Sequence, residues 1–204
     1  MLVVIVDYGL GNLRSVAGAV ERLGHAPLVS AAAADLERAD RLILPGVGAF
    51  ADGMRNLADR GLVAPLSRLV LEERKPILGI CLGAQLMART SAEFGSHDGL
   101  GWLNARVDPI VPSDPSMRVP HVGWNGLRQI QRDRIFDDVP EDALFYYVHS
   151  FHLRCVDPGD VLAACDYGEP LAAVVHRDNI YGTQFHPEKS QRHGLQLLGN
   201  FIRG

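Results

Sequence analysis

Cysteines are few in this chain of 204 residues, and neither sign of charge dominates. The three cysteines, Cys81, Cys155 and Cys165, include no Cys-x-x-Cys pair, and an odd number cannot all pair with one another. This usage is typical of a reducing compartment rather than of a secreted disulfide scaffold, so we expect a cytoplasmic protein. The formal net charge of −4 gives no electrostatic reason to bind nucleic acid or an acidic membrane surface.

Long apolar runs and metal-binding spacings are missing as well. No stretch approaches the ~20 apolar residues that a helix needs to span a bilayer. The apolar N-terminus reaches Asp7 too early for a secretory signal. Neither a His-x-x-x-His pair nor a Cys/His cluster with zinc spacing occurs. Gly9-x-Gly11 begins like a dinucleotide fingerprint, but Arg14 stands where the third glycine would be, which favours a tight turn. We therefore expect no membrane contact, no metal and no cofactor.

The first half of the chain alternates between apolar runs and helical patterns. The runs that predict strands are Leu2–Val6, His25–Ser30, Arg41–Leu44 and Ile77–Ile80. Helical spacing predicts helices at about 13–23, 51–60, 62–74 and 82–93, with Ala31–Asp40 as a short connection. This alternation indicates a parallel sheet with helices on both faces. In such sheets the active site lies at the carboxyl ends of the strands.

The second half, from Gly95 onward, changes to short strands and turns. The predicted strands are Trp102–Asp108, His121–Trp124, Gly126–Ile130, Leu144–Val148, Leu153–Val156, Val161–Asp166, Ala172–Arg177 and Ile180–Gln184. Residues 109–118 hold three prolines and are predicted to form a surface loop, and a final amphipathic helix begins at Gln191. We therefore expect one α/β domain over residues 1–204, with a mostly parallel central sheet and additional antiparallel strands.

Residues 76–86 hold the strongest chemical pattern. The strand Ile77–Ile80 runs into Cys81, which Gly79 and Gly83 flank, and a helical stretch begins at Leu82. This is the cysteine version of a nucleophile elbow, a sharp strand-to-helix turn that presents the nucleophile at the end of the sheet. A helix N-terminus at that point favours the thiolate. The alternative interpretation is a buried core cysteine before a helix with small residues.

A thiolate nucleophile needs a base, and the base needs an orienting group. The segment His186-Pro-Glu188 directly follows an apolar strand, and residues i and i+2 of an extended backbone project to the same side. The Glu188 carboxylate can accept from one imidazole nitrogen and leave the other facing the thiol, as in a triad. His121, His149 and His152 are alternative bases, and a surface turn is the alternative interpretation of residues 186–188.

The loop Pro45-Gly-Val-Gly48 follows the third predicted strand. Glycines on both sides of Val47 give this loop unusual backbone freedom. Such a loop can aim a backbone N–H at a developing oxyanion. The alternative is an ordinary loop before the next helix.

Together these motifs resemble those of the class I, or triad, glutamine amidotransferases. The resemblance rests first on Gly79-Ile-Cys81-Leu-Gly83 and His186-Pro-Glu188. Four segments are similar to the glutaminase-subunit family of imidazole glycerol phosphate synthase, and the similarity extends from residue 2 to about residue 202. They are Asp7-Tyr-Gly-Leu-Gly-Asn-Leu-Arg-Ser15, Pro45-Gly-Val-Gly48, Pro120-His-Val-Gly-Trp-Asn125 and Gln184-Phe-His-Pro-Glu-Lys-Ser190. Ala84 departs from that family, which more often has Met at this position.

The resemblance implies a flavodoxin-like class I fold and a role for each site residue. Cys81 would attack the side-chain carboxamide of glutamine, His186 would transfer the thiol proton to the departing ammonia, and Glu188 would hold His186. The backbone N–H groups of Leu82 and, after a backbone rearrangement, Val47 would stabilise the oxyanion. The residues that would contact glutamine are Gly48, Gln85, Ser150 and Phe151.

The resemblance also implies a partner. In this family the ammonia passes to a (β/α)8 cyclase, which makes imidazole glycerol phosphate and aminoimidazole carboxamide ribotide in histidine biosynthesis. We expect a heterodimer in which the cyclase is a separate subunit. The residues expected at the interface, near the channel entrance, are Tyr146, Lys189, His121, Trp124 and Asn125. The alternatives are an amidotransferase serving GMP or pyridoxal phosphate synthesis, a cysteine peptidase or related hydrolase, and a non-enzymatic binding module.

Overall fold

The computed structural model describes residues 1–114 and 116–204, and within them it contains six α-helices and fourteen strands. The helices are α1 (Leu13–Arg22), α2 (Ala33–Arg38), α3 (Phe50–Asp59), α4 (Val63–Ser67), α5 (Leu82–Leu86) and α6 (Gln191–Arg203). The strands are β1 (Leu2–Val6), β2 (Ala26–Ser30), β3 (Arg41–Leu44), β4 (Ile77–Ile80), β5 (Thr90–Ser91), β6 (His97–Asp98), β7 (Ala105–Pro109), β8 (His121–Gly126), β9 (Arg128–Gln129), β10 (Leu144–His149), β11 (Phe151–Cys155), β12 (Val161–Tyr167), β13 (Glu169–Arg177) and β14 (Ile180–Thr183).

An eight-stranded sheet in the order β2-β1-β3-β4-β14-β13-β12-β9 forms the centre of the molecule. The first five strands in this order pair in parallel. The others add antiparallel pairs at one side. With β14 as the fifth strand, the parallel part has the 2-1-3-4-5 order of flavodoxin-like sheets. The predicted fold class is therefore confirmed.

The central strand β1 shows why this sheet is buried on both faces. Val3, Val4, Ile5 and Val6 are all fully buried. Because side chains alternate along a strand, Val3 and Ile5 enter one apolar core while Val4 and Val6 enter the other. Helices α1 and α6 contribute to the first core, and α2 to α5 contribute to the second. A continuous apolar run is what two covered faces require.

Two smaller sheets extend the central one. Strands β8 and β10 form an antiparallel ribbon in which His121 pairs with His149 and Trp124 pairs with Tyr146. Strands β11, β7, β5 and β6 form a second small sheet. Side chains on the ribbon alternate between buried and exposed, so the ribbon has one face toward the protein and one toward solvent.

The helix predicted at 82–93 ends at Leu86, and this is the largest correction to the predicted elements. Backbone N–H groups from the following loop bond the carbonyls at its end: Leu100 donates to Leu86, Leu103 to Met87 and Gly101 to Ala88. These long-range bonds replace the helical ones, and the chain turns into the short strands β5 and β6. Local periodicity carries no information about them.

Smaller differences affect other elements. The predicted connection Ala31–Asp40 contains the short helix α2, and the helix predicted at 62–74 continues from α4 into a π-helical turn at Arg68–Glu72. Strand β7 begins at Ala105 rather than at Trp102, β11 begins at Phe151 rather than at Leu153, and β9 is shorter than predicted. Pro115, in the predicted loop 109–118, lies outside the described residues.

No helix in residues 1–114 or 116–204 combines the length and apolar character needed to cross a membrane. In the same part of the chain, no group of three or more His, Cys, Asp or Glu side chains is arranged to hold a metal ion.

Candidate active site

Cys81 occupies a strained turn between β4 and α5. Its backbone angles are φ 53° and ψ −112°, in a region that residues with side chains rarely adopt. The turn is held because the Cys81 N–H donates to the Thr183 carbonyl at 2.7 Å. A Cβ on Gly83 would lie 1.8 Å from the Leu44 carbonyl oxygen, and a Cβ on Gly79 would lie 2.6 Å from Ala84 Cα. The Gly-x-Cys-x-Gly pattern therefore reflects close backbone approach on both sides of the cysteine.

His186 and Glu188 form a buried pair. His186 Nδ1 lies 2.8 Å from Glu188 Oε1, and the two side chains are 2% and 1% exposed. Because a carboxylate only accepts, Nδ1 carries a proton. The other ring nitrogen, Nε2, is buried without a hydrogen-bond partner. Burial alone lowers the pKa of His186, but the neighbouring Cys81 thiolate and the Glu188 carboxylate together outweigh it and raise the pKa to about 9.

Backbone contacts from β10 fix the position of this pair. The His186 N–H donates to the Tyr146 carbonyl at 2.9 Å. The Tyr146 N–H donates to Ser190 Oγ at 2.9 Å, and Ser190 Oγ donates to the His186 carbonyl at 2.6 Å. Two of these bonds tie the segment that carries the base to the ribbon, and the third holds the segment together internally.

A cavity of about 420 Å³ lies over Cys81. It is lined by nearly all the residues that the sequence predicts for catalysis and substrate contact, with Glu188 behind His186. These lining residues are Val47, Gly48, Cys81, Leu82, Gln85, Ser150, Phe151 and His186. They come from four separate segments of the chain, which the carboxyl ends of β3, β4, β10 and β14 bring together. We call this space the Cys81 cavity.

The loop at Val47 combines a packed side with an open side. A Cβ on Gly46 would lie 2.6 Å from both Gly83 N and Tyr8 Oη, so this position requires glycine. Gly48 has a φ of +110° and open space around it. Val47 itself is 38% exposed. Val47 thus lies between a tightly packed glycine, Gly46, and one with open space around it, Gly48.

Hydrogen bonds and burial argue against the other histidines as the catalytic base. His149 Nδ1 lies 2.9 Å from the Phe151 carbonyl, so Nδ1 is the donor, and Nε2 accepts from His121 Nδ1 at 3.1 Å. Burial lowers the pKa of His121 to about 4 and is the largest cause that lowers the pKa of His149 to about 3. Burial is also the largest cause that lowers the pKa of His152, which does not line the cavity. His186 is therefore the base that the geometry favours.

Sequence reasoning missed Gln184. Its side-chain Nε2 lies 3.7 Å from Cys81 Sγ, and its Oε1 accepts from Gln85 Nε2 at 3.0 Å. The signal was present, because Gln184 stands two residues before His186 in the sequence, and residues i and i+2 of an extended backbone project to the same side.

The residues predicted for the interface fall into two groups. Trp124 is 46% exposed on the ribbon. The Tyr146 ring lies 5.9 Å from the Trp124 ring, and Lys189 Nζ lies 5.9 Å from the Tyr146 ring. His121 is 3% exposed and stacks on Tyr147 and Tyr167, so its side chain is directed away from this surface.

Asn125 lies at the end of the same strand. Its Nδ2 donates to the Asp166 carbonyl at 3.0 Å and lies 3.5 Å from His121 Nε2. The side chain is therefore engaged with its own chain.

Comparison with known proteins agrees with this architecture. Residues 4–203 match the family described as "Glutamine amidotransferase class-I". A solved glutamine amidotransferase aligns with a TM-score of 0.74 at 23% identity, covering 98% of this chain and 97% of the other. The structure of PurLQS from Thermotoga maritima aligns with a TM-score of 0.73 at 19% identity, covering 99% and 97%. The chain belongs to the class I glutamine amidotransferase family.

Sequence relatives narrow the family further. An imidazole glycerol phosphate synthase subunit HisH from Brucella abortus is 47% identical, covering 100% of this chain and 99% of the relative. The HisH subunit of Rhodospirillum rubrum is 46% identical with the same coverage. HisH 2 of Nitrobacter winogradskyi is 45% identical over 98% of this chain and 97% of the relative. Within the class, the chain belongs to the HisH subunits of imidazole glycerol phosphate synthase.

Proposed function

We propose that this chain is the glutaminase subunit of an imidazole glycerol phosphate synthase. It hydrolyses glutamine to glutamate and ammonia and delivers the ammonia to a separate cyclase. The observation that carries the proposal is the buried His186–Glu188 pair beside the strained Cys81, all around a cavity that opens at the carboxyl ends of the strands. The HisH relatives support the choice of partner reaction.

The first half-reaction forms a thioester. Cys81 Sγ attacks the side-chain carbonyl carbon of glutamine, and the carbonyl oxygen becomes an oxyanion. The N–H groups of Leu82 and, after rotation of its peptide, Val47 donate to that oxygen. The C–N bond then breaks while protonated His186 gives its Nε2 proton to the departing ammonia. The raised pKa of His186, about 9, keeps this proton available at neutral pH.

Water completes the second half-reaction. Neutral His186 accepts a proton from water, and the hydroxide equivalent attacks the γ-glutamyl thioester. The C–S bond breaks, glutamate leaves, and Cys81 returns to the thiolate while His186 remains protonated. Glu188 stabilises the imidazolium in both halves through the bond to Nδ1.

Recognition of glutamine is assigned to the walls of the Cys81 cavity. Both N–H groups of Gln85 are engaged, one by the Phe151 carbonyl at 2.9 Å and the other by Gln184 Oε1 at 3.0 Å. The Gln85 amide oxygen is thus the side-chain atom left to accept from the substrate ammonium group. Gly48 and the backbone at Ser150 supply further contacts without bulk, since they line the same cavity.

The cyclase is proposed to bind the solvent-facing side of the ribbon. We call this surface the outer ribbon face, formed by Val122, Trp124, Leu144, Tyr146 and Val148. Val122 is 57% exposed and Leu144 is 49% exposed, so an apolar and aromatic patch lies next to Lys189. Such patches mark protein-binding surfaces. A (β/α)8 barrel docked here would receive ammonia near Tyr146. The cytoplasmic location of the protein stays a prediction from its cysteine usage.

The test is glutamate release by the purified chain, first alone and then with a cyclase subunit and its ribonucleotide substrate. We expect low release alone and a large rise in the full mixture, with none from Cys81→Ala. Vigorous release by the chain alone would retain the glutaminase chemistry but contradict dependence on this partner. No release in either condition would contradict the proposed function.

A further inference from the structure

Gln184 lies beside the nucleophile in a fully enclosed position. Gln184 is 2% exposed and directly follows β14. A buried primary amide is unfavourable unless its donors and its acceptor find partners. The partners of this amide therefore fix its orientation.

The orientation follows from one backbone carbonyl. The Phe151 oxygen can only accept, so the Gln85 atom 2.9 Å from it is the amino nitrogen Nε2. The same Nε2 lies 3.0 Å from the side-chain oxygen of Gln184. With its oxygen turned to Gln85, Gln184 directs its amino group at Cys81 Sγ, 3.7 Å away. This distance is within the range of an N–H···S hydrogen bond, which is longer than one to oxygen because sulfur is larger.

Three separate segments position the linked Gln85 and Gln184 amides. Gln85 belongs to α5, Phe151 begins β11 and Gln184 directly follows β14. His149 Nδ1 also bonds the Phe151 carbonyl, which fixes that acceptor from the side of the ribbon. Rotation of the Gln184 amide away from sulfur would leave buried polar groups unpaired. The donor is thus oriented before any substrate binds.

We propose that Gln184 is a further catalytic residue, whose side-chain N–H stabilises the Cys81 thiolate as nucleophile and again as leaving group when the thioester is hydrolysed. The donor adds no charge of its own, so it supports the thiolate without competing with protonated His186. This role rests on the proposed function of Cys81 as nucleophile. Its test is a measurement on the thiol itself, made without glutamine.

The experiment follows alkylation of Cys81 by iodoacetamide across pH in the full chain, with the modified peptide identified by mass. Gln184→Met keeps the length of the side chain and removes the donor. We expect the pH midpoint of alkylation to rise by about one unit. Gln129→Met, at an exposed position in β9, is the matched control and should leave the profile unchanged. A wild-type profile in Gln184→Met would overturn the proposal.

A second variant keeps the proposal testable if Gln184→Met does not fold. Gln184→Glu preserves shape and size but directs a carboxylate at the sulfur, and we expect a larger upward shift of the midpoint than with Gln184→Met. Circular dichroism checks that both variants fold. A shift smaller than that of Gln184→Met would contradict the proposal. If the variants show the expected shift of the alkylation midpoint but the wild-type chain releases no glutamate, the contact with sulfur is retained and the glutaminase function is contradicted. The two failures are therefore distinguishable.

Discussion

Four histidines are buried among the described residues, and their partners separate the base from the rest. His186 bonds a carboxylate, and its pKa rises to about 9. His121 and His149 bond each other, and burial is the main reason that their pKa values fall to about 4 and about 3. Burial also lowers the pKa of His152. At neutral pH, therefore, His186 carries the proton that the leaving ammonia needs.

Glu188→Gln tests the origin of that charge. Loss of the carboxylate removes a contribution that raises the pKa of His186, so the imidazolium is lost at lower pH. We expect the alkaline fall of kcat, near pH 9 in the wild type, to move to lower pH and kcat to drop by roughly 10²- to 10⁴-fold. The measurement is the pH profile of glutamate release in the complex with cyclase. Glu21→Gln, exposed on α1, is the control, and an unmoved alkaline limb in Glu188→Gln would disprove the assignment.

The neutral His121–His149 pair predicts weak stability in acid. In the unfolded chain each imidazole binds a proton below about pH 6.5, whereas the folded pair resists protonation down to about 4 and about 3. Stability therefore falls as pH drops from 6.5 toward 4, at about 1.4 kcal/mol per pH unit for each histidine. His149→Gln should reduce that slope by the contribution of one histidine, about 1.4 kcal/mol per pH unit. Urea unfolding at several pH values measures it. An identical slope in the variant would show that His149 is protonated in the folded state.

Single residues differ in how far the sequence could predict them. Cys81, His186 and Glu188 stand in two short segments whose spacing already indicates their relation. The orientation of Gln184 depends on Gln85 and on a carbonyl at Phe151, which lie in distant parts of the chain. The same holds for the stacking of His121 against two tyrosines, Tyr147 and Tyr167. Such contacts exist only in the folded molecule.

At the scale of elements, the elbow contains the glycine with the least space for a Cβ, Gly83. Gly83→Ala would put a Cβ 1.8 Å from the Leu44 carbonyl oxygen, and the nearest atoms are backbone of Leu44 and Pro45, which cannot move aside as a flexible side chain can. We expect a loss of at least about 1–3 kcal/mol of unfolding free energy. Gly18→Ala in the middle of α1 has open space around it and should gain about 0.5–1 kcal/mol. Chemical denaturation measures both, and equal stability of the two variants would refute the close approach at the elbow.

Elements bounded by local signals were predicted well. Strands β1, β3 and β4 begin and end as expected, because short apolar runs between polar or glycine residues define them. Helix α5 ended early because the loop 99–103 supplies hydrogen bonds to its last carbonyls. Helix α2 was missed because an alanine-rich segment buries only Leu36 and shows no periodic apolar face. Long-range bonding and weak periodicity account for these errors.

At the scale of the whole molecule, one ribbon connects the surface to the active site. The outer ribbon face carries Trp124, while His149 on the opposite face lines the Cys81 cavity. Tyr146 lies on the outer face, and its backbone binds the His186 segment. A partner that contacts this ribbon would touch the same strands that position the base.

Trp124→Ala tests the outer ribbon face as the cyclase-binding surface. A large, half-exposed aromatic residue in an apolar patch is typical of an interface hot spot, so we expect affinity for the cyclase to fall roughly tenfold or more. Isothermal calorimetry with a separate cyclase subunit measures this. Val156→Ala, at a position 69% exposed but outside the ribbon, is the control. Equal affinity for both variants would exclude Trp124 from the interface.

The most direct test of the account is the location of the covalent intermediate. The wild-type chain, in complex with cyclase and its ribonucleotide substrate, is quenched with acid during turnover of glutamine, and its peptides are analysed by mass. The account predicts a γ-glutamyl group on the peptide that contains Cys81, and neither adduct nor glutamate from Cys81→Ala. An adduct on Cys155 or Cys165, or continued turnover by Cys81→Ala, would contradict it.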